Sequence, residues 1–191
     1  GNWLQADGGV YTVKAGGGSE NVQKSDGEWQ FGPGQQTEST DTTEEDTVSM
    51  KAIKAAGELI LKGGKYSLDS ADDTIHSNAN ITISDGEFTL ASGDDGIHAD
   101  SATTISGGTI DITESYEGIE GLSIDITGGE TYVSGPTNDG NSALDYNGTG
   151  TVTGGIFIAA GSSGMAENFG DSSTQGVMMV TVNSQAAGSA V

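Results

Sequence analysis

A 22-residue period limits what this chain can fold into more than any other feature. Isoleucine stands at Ile53, Ile75, Ile97 and Ile119, each 22 residues after the last. Other slots keep the same step: Leu61, Ile83 and Ile105; Gly64, Gly86 and Gly108; Tyr66, Phe88 and Ile110; Leu68, Leu90 and Ile112. A fixed period of this length marks a solenoid, in which each repeat buries its apolar face on the next. Within a repeat, apolar and polar residues alternate, as in Ile81-Thr82-Ile83 and Ile110-Asp111-Ile112, which is strand periodicity. No segment carries the i, i+3, i+4 spacing of an amphipathic helix. Short strands broken by Gly, Asp and Asn predict coils of about three strands, stacked about 4.8 Å apart. The predicted fold class is all-β: a single-stranded parallel β-helix, right-handed because parallel crossovers have that hand.

The register divides the chain. One domain is expected over 1–191, with a polar acidic insertion at about 16–48. Ahead of it, Gly9, Tyr11 and Val13 repeat the spacing of Gly64, Tyr66 and Leu68, so Asp7–Val13 reads as the end of an earlier coil. Tyr11 and Tyr66 are 55 residues apart, two periods plus 11. The insertion reads either as an excursion from one corner, carrying Trp29 and Phe31 to the surface, or as a plain polar loop. Regular coils run from about Ser49 to Ser134, with Thr131 in the inward slot that elsewhere holds Tyr66, Phe88 or Ile110. A further coil follows, in which Leu144, Val152, Gly155, Phe157 and Ala159 match Ile97, Ile105, Gly108, Ile110 and Ile112. The remainder leaves register, and apolar Val177–Val182 predicts a last strand that closes the stack.

Charge removes whole classes of partner. There are 28 acidic residues against six lysines and no arginine, a net of -22. Nucleic acid and anionic membrane surfaces are therefore poor partners. No apolar run is long enough to insert into a membrane. Without cysteine there are neither disulfides nor thiolate metal sites. The narrow, self-contained solenoid is expected to be a monomer.

The chemistry falls in the turn columns. By period, Lys51, Asp73, Asp95 and Glu117 share one column, and Met50, Asp72, Asp94 and Tyr116 share its neighbour. A third holds Lys54, His76, His98 and Glu120, with Asp145 from the next coil. Carboxylates stacked at about 4.8 Å repel by roughly 1 kcal/mol in water and more at a desolvated surface. A cation relieves that repulsion, and hard oxygen donors select calcium. A solvated acidic edge without an ordered ion is the other reading. His76 and His98 are expected to stack as a structural imidazole ladder. Lys51 and Lys54 fit either a base beside a cation or a countercharge to the acidic column. Tyr116, Tyr146 and Trp29 are candidate platforms for sugar rings, while Tyr11 and Tyr66 belong to the core.

The phrases at 70–78 (SADDTIHSN), 92–100 (SGDDGIHAD), 115–121 (SYEGIEG), 135–146 (GPTNDGNSALDY) and 159–170 (AAGSSGMAENFG) come in a defined order. Together they resemble a family of secreted bacterial carbohydrate-binding β-helix proteins, whose fold is similar to that of pectate lyases. The resemblance implies an extracellular, calcium-binding protein whose partners are cellulose and acidic plant polysaccharide such as polygalacturonate. It implies metal-bearing roles for Asp72, Asp73, Asp94, Asp95, Glu117, Glu120, Asp139 and Asp145, with no catalytic residue. Lys51, Lys54, Tyr116, Tyr146 and Trp29 remain the candidates for contact with sugar. Two other classes stay open. A pectate-type lyase would use calcium and a lysine base, and a surface adhesin or spacer would use calcium only for stiffness.

Overall fold

The computed structural model describes residues 3–21 and 49–183. Its strands are β1 (Trp3–Ala6), β2 (Val10–Ala15), β3 (Ile53–Ala55), β4 (Glu58–Ser70), β5 (Ile75–Ser77) and β6 (Ile81–Ser92). They continue as β7 (Asp95–Ile105), β8 (Thr109–Glu114), β9 (Glu117–Ile126), β10 (Glu130–Ser134), β11 (Leu144–Val152) and β12 (Ile156–Ala160). Every pairing is parallel. The result is a parallel β-solenoid of about five turns with about 22 residues per coil. The only helical element among the described residues is a 3-10 turn, Ser19–Asn21.

Three ladders form the faces of the coil. The first stacks Ile53, Ile75, Ile97, Ile119 and Leu144. The second stacks Leu61, Ile83, Ile105, Ile126 and Val152. The third stacks Tyr11, Tyr66, Phe88, Ile110, Thr131 and Phe157. Ile75, Ile83, Ile97, Ile105, Ile110 and Ile119 are fully buried. Removing each of these side chains from water stabilises the fold by about 1.5–3 kcal/mol. Alternation within each strand aims the intervening polar residues outward.

The corner between the second and third ladders depends on glycine. Gly64, Gly86 and Gly108 have φ of 110°, 126° and 86°, which residues bearing a Cβ rarely adopt. A Cβ on Gly108 would also stand 2.8 Å from the carbonyl of Gly86. Both the dihedral and the close approach of coils require glycine there.

Tyr11 pairs directly with Tyr66, so the 55-residue spacing is one coil step carrying an insertion. Two expectations are corrected. Tyr11 is 37% exposed, because it begins the stack Tyr11–Tyr66–Phe88, with ring centroids 4.8 and 4.4 Å apart, and among the described residues no further ring continues the stack beyond it. Val177–Val182 is not a strand, and Met178 is 85% exposed. The edge of β11 is already taken by the preceding residues: Gly170 N donates to Gly150 O at 2.8 Å, and Thr174 N to Val152 O at 3.2 Å. Phe169 is buried there and meets Phe157 edge-on at 5.0 Å.

Candidate cation and carbohydrate site

Where the third ladder turns into the first, the chain reads Ser-x-Asp-Asp, twice. The two serines point inward and hold the turns: Ser70 Oγ donates to Asp72 O at 2.7 Å, and Ser92 Oγ reaches Asp95 O at 2.7 Å. Successive turns are then stitched together, with Thr74 N donating to Asp95 O at 3.0 Å and Tyr116 N to Asp94 O at 2.8 Å. Gly96 follows the second pair because a Cβ there would lie 2.6 Å from Gly118 O. The backbone therefore fixes the carboxylates on neighbouring coils, one period apart.

The columns read from the sequence are present as ladders. Asp95 is in register with Glu117, and Lys54, His76, His98, Glu120 and Asp145 form one continuous column. Ligand atoms fall into three groups, each within 4.8 Å: Asp72, Asp73 and Asp94; Asp73, His76 and His98; and Asp95, His98 and Glu120. Asp139 belongs to none of these groups; its carboxylate accepts the Ser162 hydroxyl. Tyr116 is 47% exposed beside the column. The Tyr146 hydroxyl donates to Asn168 O at 2.7 Å, which ties its ring to the C-terminal cap. Trp29 lies outside the described residues.

Lysines and histidines neutralise only part of the column. Lys51 Nζ lies 2.7 Å from Asp72 Oδ1 and 2.6 Å from Asp73 Oδ2, which makes it a countercharge. Lys54 is exposed. The histidines do not stack: their rings meet at 67° with centroids 4.9 Å apart. Each turns toward acid instead, because a carboxylate in a half-desolvated cluster attracts an imidazole more than another imidazole does. His76 Nδ1 stands 2.7 Å from Asp73 Oδ2, and His98 Nδ1 is 3.1 Å from both Asp95 Oδ2 and Glu120 Oε2. An Asp-x-x-His phrase repeated after 22 residues, Asp73–His76 and Asp95–His98, was the signal for this arrangement.

The electrostatics follow from these contacts. Burial opposes the charge of Asp73, yet His76 and Lys51 outweigh it and hold the pKa at about 2. Burial likewise opposes the charge of Lys51, and its bonds to Asp72 and Asp73 more than restore it, so the pKa is raised. Further along the column the balance reverses. Burial, then Glu120, Asp73 and Asp94, push Asp95 to about 9 against the pull of His98. The bond to Asp95 lifts His98 to about 9 despite burial, helped by Glu120 and Asp73. Both shifts run the same way, so this trio keeps a proton well above neutrality. Burial raises Glu117 to about 7, with Glu120, Asp145 and Asp94 adding to it. Asp94 is raised by burial and by Asp73 and Asp72, and Asp145 by burial and Glu120.

A groove of about 590 Å³ runs along the glycine corner, lined by Gly9, Gly64, Gly86, Gly108, Lys65 and Glu87 among others. It shares no residue with the acidic column.

Residues 2–96 match the model of a family described as carbohydrate-binding domain-containing protein. The matched part ends within the second aspartate phrase. The match covers just under half of the chain, and what it shares with the described fold is the first coils of the β-solenoid. No curated protein and no solved structure matches the chain. Among the described residues, no helix is long and apolar enough to cross a membrane.

Proposed function

We propose that this chain is an extracellular, non-catalytic module that binds plant cell-wall polysaccharide, with calcium on its acidic column. One observation carries the reading. Seven carboxylates (Asp72, Asp73, Asp94, Asp95, Glu117, Glu120 and Asp145) share three adjacent columns with two lysines, Lys51 and Lys54, and two imidazoles, His76 and His98. The carboxyls of Asp94, Glu117 and Asp145 have proton affinities raised by burial and by other acids. A group that holds its proton for lack of a cation is one that a cation can discharge. Oxygen donors of this hardness suit calcium.

The carboxylates that calcium would take are those Lys51 does not bridge: Asp94 beside the Asp72–Asp73 pair, and Glu120 beside Asp95 and His98. Glu117 and Asp145 fall in no group of ligand atoms within 4.8 Å, and Asp72 and Asp73 are already satisfied by Lys51. When bound, calcium supplies positive charge that a sugar carboxylate can share. The chain's own contribution to sugar is then Tyr116 as an exposed ring, and Lys54 as an exposed cation. Tyr146, held against the cap, borders the same column. Neutral cellulose would rest on stacking and hydrogen bonds rather than on the ion. A lyase reading needs a lysine that gives up its proton readily, and Lys51 is held in the opposite state.

Pull-down with polygalacturonate and with cellulose tests this, with and without calcium. Converting Asp94 and Asp95 together to Asn should abolish calcium-dependent uronate binding, leave cellulose binding nearly intact and preserve the fold. Unchanged uronate binding by the folded double variant would reduce the column to scaffolding.

A further inference from the structure

We propose that Lys51 is a tethered counter-ion that takes the place of a divalent cation at the Asp72–Asp73 end of the acidic column. It thereby sets where along the column metal can bind. The column gives the comparison within one molecule. Lys51, Asp73, Asp95 and Glu117 are equivalent positions on four successive coils, and three of the four are acids. On the coil bearing Lys51, the ammonium reaches into the next turn and bridges both members of the aspartate pair, at 2.7 and 2.6 Å. These are the distances of charge-assisted hydrogen bonds. The Lys51 side chain is only 15% exposed, and Asp73 is 1% exposed. The ammonium is therefore packed into the cluster and does not hover over it.

Asp73 Oδ2 has a second donor in His76 Nδ1 at 2.7 Å. A divalent ion approaching Asp72, Asp73 and Asp94 would meet one oxygen already holding two donors, and a positive charge at contact distance. Like charges at that range repel strongly when water is partly excluded. Being covalently attached, Lys51 also competes without the entropy loss that a free ion suffers on binding. At the opposite end no lysine fills the equivalent slot: Glu117 faces Asp95 where Lys51 faces Asp73, and the group between the acids there is the His98 imidazole, 3.1 Å from Asp95 Oδ2 and Glu120 Oε2. Lys51 thus acts as a specificity-determining residue. The identity of the ion as calcium rests on the function proposed above; the exclusion by Lys51 does not.

The test is calorimetric titration of calcium into metal-stripped protein, as wild type, Lys51→Gln, Lys51→Arg and Asp72→Asn. Lys51→Gln keeps a polar side chain one atom shorter and removes the charge, and should take up one more calcium per chain than wild type. That added binding should vanish in Lys51→Gln/Asp72→Asn, whereas Asp72→Asn alone should leave wild-type uptake unchanged. Lys51→Arg should behave as wild type. Identical uptake by wild type and folded Lys51→Gln would overturn the proposal, as would loss of wild-type uptake in Asp72→Asn. Should Lys51→Gln fail to fold without metal, recovery of its far-ultraviolet circular dichroism on adding calcium supports the proposal, and no recovery overturns it. A wild type that binds no calcium beside a Lys51→Gln that does would sink the proposed function and leave this inference standing.

Discussion

His98 Nδ1 lies 3.1 Å from Glu120 Oε2 on the following coil and the same distance from Asp95 Oδ2 on its own. One imidazole thus joins two acids across a coil boundary. This sets the pH response of the metal-free protein. Asp95 and His98 are both raised to about 9, and Glu117 to about 7 from 4.5. Over this range the folded chain binds more protons than the unfolded one, so stability falls as pH rises. For His98 the contribution is whole below the ordinary value of 6.5 and lost through about 9. Asp73, lowered to about 2 from 3.8, contributes in the other direction and is lost as pH falls through that window. Urea unfolding in chelator should therefore show maximal stability near pH 4–5 and a decline toward pH 9. A midpoint that rises steadily from pH 5 to pH 9 would contradict the assignment.

Calcium should remove the alkaline side of that decline. A ligand that binds only the folded state adds about 2.7 kcal/mol at a hundredfold excess over its Kd. For a chain of this size, that is a rise in Tm of roughly 5–10 °C. EDTA should reverse it, and magnesium should substitute poorly because it demands a rigid octahedral shell. Differential scanning calorimetry at pH 8 checks this. Melting curves indifferent to calcium and EDTA would remove the case for a metal-bearing column.

Incubation with polygalacturonate and calcium at alkaline pH should give no unsaturated, ultraviolet-absorbing product. Lys51 is ion-paired on both sides and its proton is held more tightly than in a free lysine, so it makes a poor base. Steady product formation, lost in Lys51→Ala or Lys54→Ala, would show that the chain is a lyase.

Thr131 occupies an inward slot between Ile110 and Phe157 and is fully buried. Its hydroxyl has no hydrogen-bond partner. Thr131→Val keeps the shape and removes the stranded polar atom. The change should stabilise the fold by about 1–2 kcal/mol, read as a higher urea midpoint with an unchanged slope. A lower midpoint would mean that the hydroxyl has a water partner.

What the sequence determined by itself was the ladder. In a parallel stack with a nearly constant period, an offset of 22 residues in the chain becomes a neighbour in space. Hence the three inward ladders and the columns from Lys51 to Glu117 and from Lys54 to Asp145 could be read directly. The coil containing Leu144 and Phe157 could be read in the same way, despite a longer loop before it. The tertiary structure decided what each side chain does within its column. Lys51 reaches across to both Asp72 and Asp73, and His98 turns to Glu120 rather than lying flat on His76. Those choices follow from minimising unpaired charge among several groups at once, which a linear period does not encode. The same holds where the period breaks. Tyr11 meets Tyr66 across 55 residues, and Val177–Val182 stays exposed because residues 170–174 already occupy the β11 edge. Strand partners at an insertion or a chain end are set by which edges remain free, and only the folded stack defines those edges.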